Sequence, residues 1–292
     1  MALKRCAFLS MDSLEDFFAY DSMLFEPLKQ RGWDAEEVSW RQDDHNWRQY
    51  DAIVIRTTWD YQQDPDAFIA RLQEIVNTGV PMDNSLELVR WNLSKTYLKA
   101  LQDAGVDIVP TLWRDGLTIS DLSLAFEQFN TDELVVKPQV SANADDTFRV
   151  TKSALSGLQT MLLDVLAARP VMIQPFLRSI TEQGEYSLFY FHDEFSHAIC
   201  KQPAAGDFRV QEEHGGDMHR INASDAMLKL ASETLAALPE KPLYSRIDMA
   251  YVGTSLALME VELIEPSLYF NVAPDACERF VEHFVAVHGR GN

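Results

Sequence analysis

Basic residues are scarce in this sequence: 25 lysines and arginines face 45 aspartates and glutamates, a formal net charge of −20. A field of that sign repels a phosphate backbone, and no lysine or arginine cluster interrupts it, so no nucleic-acid partner is expected. Small phosphates are a separate matter, because a few placed cations and one metal ion reverse the field locally. Cysteine is nearly absent. Cys6, Cys200 and Cys277 form no CxxC pair, which argues against a disulfide framework or a zinc site and fits a reducing cytoplasm. No apolar run reaches the ~18 residues that span a bilayer. The opening MALKRCAFLSMDSLED turns acidic too early for a signal peptide and reads as a first strand. A cytoplasmic protein with no membrane partner is expected. GxSxG, Walker A, GxGxxG and HExxH patterns are all missing, so serine hydrolase, P-loop, Rossmann and metalloprotease chemistry lack their signatures.

What is present is a folded chain of 292 residues, 47% hydrophobic, with room for two domains or one large one. The first 85 residues alternate strand and helix signals: CAFLSM, SMLFEPLKQRG, AEEVSW and the buried-looking DAIVIRTTW. Asp64-Pro65 then starts a helix with Phe68, Leu72 and Ile75 at helical spacing. That alternation predicts a small parallel sheet, with ligands expected at the carboxyl ends of its strands, near Asp12, Ser13 and Arg56. Arg56 is thereby a candidate for gripping a substrate carboxylate, a structural ion pair being the alternative. A helical stretch over 85–105 follows. Beyond it the pattern becomes strand-rich, with strands at ELVVKP, VMIQPF, YSLFYF, FSHAICK, FRVQ (208–211), YSRIDMAYV and SLALMEVELIE (255–265). The order predicts an α/β start followed by α+β architecture.

The chemistry concentrates in LMEVELIEPSLYF (258–270). Along a strand Glu260 and Glu262 share a face about 6–7 Å apart, whereas Glu265 points to the opposite face if the strand continues that far. Two carboxylates at that distance repel by roughly 2–3 kcal/mol at an effective dielectric near 20. Asp248, in the apolar strand IDMAYV across an expected hairpin, adds to the repulsion. Such a cluster needs a cation, and oxygen-only ligands at this spacing suit Mg²⁺ bridging phosphates. Lys137 ends an apolar strand, where it either reaches solvent or meets a phosphate. Lys95 follows Ser94; if a helix begins there, a bound phosphate would reconcile lysine with the helix N-terminus. Lys201 and Arg209 flank QPAAGDF either as ordinary charges of a surface hairpin or as two cations suited to phosphate oxygens, in which case Gly215-Gly216 would let backbone N–H groups approach an anion.

The order of these parts, NLSK, VVKP, IQPFL, GEYSLFYF, GDFRVQEEHGG, RIDM and MEVELIEPS, resembles the ATP-grasp superfamily over nearly the whole chain. TTWDY, WNLSK and IEPSL are similar to the group containing the cyclo-ligase that forms D-cycloserine. The resemblance implies an α/β N-terminal domain (1–92), a small lid subdomain (93–173) and a C-terminal subdomain (174–292), with ATP between the last two. It implies phosphate contacts from Lys95 and Lys137, and an adenine-binding hinge at Gln174, Phe176 and Leu177. Glu185 would take the ribose, Lys201 and Arg209 would stabilise the transferring phosphoryl group, and Asp248, Glu260 and Glu262 would hold Mg²⁺. The implied reaction joins small-molecule carboxylate and amine substrates, with ATP consumed; an amino-acid-tagging ligase or a non-catalytic ATP-binding module are the rivals, and a homodimer is left open. Two features depart from the family pattern. The loop QVSANADDT lacks the usual glycines, and Ser187 stands where glutathione synthetase-like members tend to carry arginine.

Overall fold

The computed structural model describes residues 2–141 and 144–289. Its first sheet is parallel, in the order β2-β1-β3-β4. It is built from β1 (Lys4–Ser10), α1 (Phe25–Gln30), β2 (Trp33–Ser39), β3 (Ala52–Thr57), α2 (Pro65–Asn77) and β4 (Met82–Asp83). Every residue of β3 is buried, as expected of a central parallel strand covered on both faces. The start of α2 is fixed locally: Asp64 accepts from the Ala67 N–H at 3.1 Å and Pro65 supplies a pre-set φ, while Phe68, Leu72 and Ile75 turn into the core.

The helical stretch over 85–105 is two helices, α3 (Leu86–Asn92) and α4 (Tyr97–Asp103), with a break around Lys95. A second sheet, antiparallel in the order β5-β8-β6-β7, comprises β5 (Leu112–Arg114), β6 (Glu133–Pro138), β7 (Phe148–Thr151) and β8 (Val171–Pro175). It is backed by α5 (Ile119–Gln128) and α6 (Leu155–Leu166). After α7 (Arg178–Gln183) comes a third, antiparallel sheet, β11-β10-β9-β12-β13: β9 (Glu185–Phe191), β10 (Glu194–Gln202), β11 (Asp217–Ile221), β12 (Tyr244–Val252) and β13 (Ser255–Glu262). Helices α8 (Asp225–Ala236) and α9 (Ala276–His288) flank it. The α/β start followed by α+β sheets is the expected class. The first and third sheets share one core, in which α9 packs Phe284 against Trp33 at 4.8 Å and Phe280 against Phe191 at 5.4 Å. Cys6, Cys200 and Cys277 are buried and unpaired. No helix among the described residues is long and apolar enough to cross a membrane.

Two strand expectations are corrected. Residues 208–211 form no strand; the partner of β10 is instead β11, beyond the Gly215-Gly216 turn. And β13 ends at Glu262, not near Glu265. The reason lies in the side chains waiting for the backbone. As an edge strand β13 would leave a row of buried polar groups unpaired. Instead Leu258 bonds Asp107 and Val109 at 2.8 and 3.0 Å. The Val261 N–H donates to the Tyr97 hydroxyl at 2.9 Å, and Asn92 meets the Val261 carbonyl at 2.9 Å and the Leu263 N–H at 3.0 Å. The next six carbonyls, 263 to 268, each accept from a different side chain. Their donors are Asn84, Tyr244, Trp59, Arg56, Arg246 and His197, in chain order.

Replacing Asn92 with leucine leaves the Val261 carbonyl and Leu263 N–H unsatisfied in the core. The expected loss is roughly 2–4 kcal/mol of unfolding free energy, read by urea denaturation; unchanged stability would remove Asn92 from the account. A pH dependence follows from His197, which stacks on Phe189 at 4.2 Å and donates from Nε2 to the Leu268 carbonyl at 3.1 Å. Burial lowers its pKa from an ordinary 6.5 to about 4. Between those values the unfolded chain takes up a proton that the folded chain refuses, so stability is full above pH 6.5 and falls as the pH drops towards 4. The difference reaches roughly 3 kcal/mol. His197→Gln keeps a donor for Leu268, and its unfolding free energy should fall less steeply than that of the parent across this window.

Candidate active site

A cavity of about 190 Å³ lies between the second and third sheets, and the side chains that line it come from facing strands. From β6, Leu134 and Val136 point into the core while Val135 and Lys137 alternate onto the cavity wall. From the third sheet come Glu185, Lys201, Arg246, Asp248, Glu260 and Glu262. Their register explains the grouping. Asp248 pairs with Glu260 across β12 and β13, Arg246 with Glu262, and Lys201 with Glu185 across β10 and β9. Met259 is the extra residue of a bulge, so it faces the same cavity as Glu260.

Each acid on this face except Glu265 has a cation beside it. Lys95 sits at 2.8 Å from Glu260 and donates to the Ser141 carbonyl at 2.8 Å, tying the loop after β6 to β13. Arg246 bridges Asp248, at 3.0 Å, and Glu262. Lys201 touches Glu185 and lies 3.4 Å from Asp248, which also accepts from the Ser187 hydroxyl. Burial opposes ionisation of Asp248, but Arg246, Lys201 and those hydrogen bonds outweigh it and bring its carboxyl down to about 2. For Glu260, Lys95 and Lys137 likewise overcome burial and lower it. At Glu262 burial wins, helped by Asp248 and Glu260, and the carboxyl rises to about 7 despite Arg246. Lys137 has no hydrogen bond or ion pair among the described residues, and burial lowers its pKa. Among the described residues no three of the acids are drawn together tightly enough to enclose an ion, because lysine and arginine nitrogens stand between them. The donor set is nonetheless one of hard oxygens, as Mg²⁺ requires.

At the other wall, Gln174, Phe176 and Leu177 line the cavity at the end of β8. The Phe176 N–H is engaged by the Glu133 carbonyl at 2.9 Å. The Phe176 carbonyl and the Leu177 N–H remain as hinge groups with no partner among the described residues. Arg209, paired with Asp207 at 2.8 Å, stands where this cavity meets a second chamber of about 560 Å³. That chamber reaches Trp59, Asp60 and Asp16 of the first region, and both spaces are lined by Ala144 and Thr147 of the glycine-poor loop after β6. Ala142 and Asn143 of that loop lie outside the described residues.

Three expectations are corrected by this geometry. Arg56 lines neither space: it is fully buried, held by Asp21 at 2.5 Å and by the Tyr244 ring, so it is a structural ion pair and not a substrate grip. The N–H groups of Gly215 and Gly216 are engaged by Glu212 and Gln211 carbonyls of their own turn. Gly215 adopts φ +77°, and a Cβ on Gly216 would strike the Val210 carbonyl at 2.1 Å. These glycines close a turn and cradle no anion. Lys95 precedes a helix of seven residues, and its ammonium answers Glu260 rather than a helix N-terminus. The sequence reading passed over Arg246, although its place two residues before Asp248, on the same strand face, was the available signal. Because β13 stops at Glu262, the condition under which Glu265 would point to the opposite face is not met, and Glu265 lines the cavity.

A family model described as D-cycloserine synthetase DcsG, N-terminal domain, matches residues 6–84. The cycloserine biosynthesis protein DcsG of Streptomyces lavendulae is 28% identical over 281 residues, covering 89% of this chain and 90% of that one. The crystal structure of D-cycloserine synthetase DcsG superposes with a TM-score of 0.85 at 25% identity, over 97% and 99% of the two chains. D-alanine–D-alanine ligase from Bacillus anthracis shares the fold at a TM-score of 0.69 and 13% identity, over 98% of each chain. The chain has the ATP-grasp fold and is similar over nearly its whole length to D-cycloserine synthetase DcsG.

Proposed function

We propose that this protein is an ATP-dependent carbon–nitrogen ligase acting on small molecules. The observation that carries the reading is a single cavity with a strand-end hinge on one wall and, on the other, paired acids and cations on one sheet face. The similar proteins are named for making D-cycloserine and for joining D-alanine to D-alanine, so small carboxylate and amine substrates, joined between two molecules or within one, are the class assigned here. In this reading the chain divides at 92/93 and 173/174, and ATP lies between the last two parts.

In this reading the hinge at Gln174, Phe176 and Leu177 holds adenine through the Phe176 carbonyl and Leu177 N–H. Glu185 keeps one carboxylate oxygen on Lys201 and turns the other to the ribose. Lys137 meets the phosphates, which explains a half-buried lysine without an acid of its own. Lys95 joins it from the loop end. Asp248, Glu260 and Glu262 would hold Mg²⁺, whose charge, when bound, would neutralise phosphate oxygens. Arg246 bridges Asp248 and Glu262; were Glu262 given to the metal, the guanidinium would face developing negative charge together with Lys201 and Arg209. A substrate carboxylate oxygen attacks the γ-phosphorus, and ADP leaves; an amine then displaces phosphate from the acyl carbon. The loop carrying Ala144 and Thr147 keeps water from the acyl phosphate.

ADP release, screened across amino acids and small amines, tests this directly. Wild type should release ADP with at least one carboxylate–amine pair. Lys137→Ala should weaken ATP binding by about tenfold or more, since about 1.4 kcal/mol corresponds to each factor of ten. Glu262→Gln should lose Mg²⁺-dependent affinity. Equal Mg–ATP binding by wild type and Glu262→Gln would overturn the site, and binding without turnover on any pair would favour a regulatory module.

A further inference from the structure

Among the acids that line this cavity, Glu265 is the one whose carboxyl has neither a cation nor a hydrogen-bond donor beside it among the described residues. It is 7% exposed and lines the cavity wall, yet its carboxyl makes no hydrogen bond or ion pair among the described residues. Asp248, Glu260, Glu262 and Glu185 each touch a lysine or arginine. Its position is not a matter of slack. The Ile264, Glu265 and Pro266 carbonyls are held by Tyr244 at 2.9 Å, Trp59 at 2.8 Å and Arg56 at 2.9 Å. Three consecutive anchors fix the backbone that carries the carboxyl.

The anchor Trp59 lines both the nucleotide cavity and the second chamber, so Glu265 stands near their junction. That chamber favours positive charge. Asp60 is neutralised by Arg41 at 2.7 Å and Asp146 by Arg169, but Asp16, Asp145 and Glu213 have no cation beside them among the described residues, and Arg209 already leans on Asp207. A buried carboxyl without a partner is costly unless it is protonated or a ligand supplies the charge.

We propose that Glu265 receives the primary ammonium of the nucleophile, so that the second substrate of this enzyme presents a cationic amine at the junction of the two chambers. The assignment rests on the ligase reading above and specifies its amine half. An ammonium cannot attack; it must first lose a proton. Glu265 carboxylate takes one proton from the ammonium, and the nitrogen lone pair then forms the C–N bond at the acyl carbon. The C–O bond to phosphate breaks with its electron pair, and a second N–H proton leaves on the departing phosphate. Burial and the nearby Glu262 push the Glu265 carboxyl well above the usual carboxylate range, which suits an acceptor for an amine proton.

The test uses full-length protein saturated with Mg–AMPPNP and three probes of similar size: ethanolamine (a cation), ethylene glycol (neutral) and glycolate (an anion). Binding is read by calorimetry or ligand-observed NMR. Wild type should bind ethanolamine about tenfold or more tightly than the other two. Glu265→Gln, which preserves shape, should lose that preference with Mg–AMPPNP affinity unchanged. Equal binding of the three probes by wild type, or a retained preference in Glu265→Gln, would overturn the proposal alone. A fall in Mg–AMPPNP affinity in the variant would assign Glu265 to the nucleotide and overturn it as well. Failure of wild type to bind Mg–AMPPNP would remove the ligase reading and this inference together.

Discussion

Six consecutive backbone carbonyls, from Leu263 to Leu268, are held by six side chains, and the site depends on that arrangement. The segment has no regular secondary structure and is largely buried, a situation in which unpaired carbonyls would expel it to the surface. Three of the donors, Trp59, Arg56 and Asn84, belong to the first region; Tyr244, Arg246 and His197 belong to the third sheet. The segment is therefore a seam stitched from both sides. Because β13 runs directly into it, the positions of Glu260, Glu262 and Glu265 are set by the first region as much as by their own sheet. Arg56 makes sense in this frame. A charge with no exposure, stacked on Tyr244 and paired with Asp21, is costly to bury for one hydrogen bond, but it fixes the Pro266 carbonyl against which the two regions register.

The same seam shows what could be read from the sequence. Paired glutamates two residues apart in an apolar strand, with an aspartate on the neighbouring strand, were legible because strand periodicity is local. The observed register places Asp248 opposite Glu260. Lys137 was legible for the same reason. Where β13 stops was not. Nothing within LMEVELIEP says that Asn92, Tyr97 and Asn84, more than 150 residues earlier, satisfy its outer edge, and without that knowledge the apolar run reads as a strand to Glu265. The bulge at Met259 was equally hidden, because it is defined by two strands at once. The Gly215-Gly216 pair failed differently. Glycine signals a backbone need without saying which one, and here the need is a turn packed against Val210, not an anion.

An acidic protein of net charge −20 that gathers Lys95, Lys137, Lys201, Arg209 and Arg246 around one cavity has placed a fifth of its basic residues there. The surrounding field repels a nucleotide from the rest of the surface, while focusing within the cleft reverses its sign. The pairing is uneven in a way that fits a site made for a polyanion carrying a dication. The lysine without an acid, Lys137, faces the acids that have already found their lysine or arginine. A triphosphate would satisfy the first, and its metal would compete with Arg246 for Glu262. Exchange of that kind needs a guanidinium held by more than one group, so that it can surrender one contact and stay in place. Arg246 has three: Asp248, Glu262 and the Ser267 carbonyl. Losing Glu262 would leave it anchored at the seam, still on the cavity wall, with its charge turned from a protein carboxylate to whatever negative charge the reaction develops.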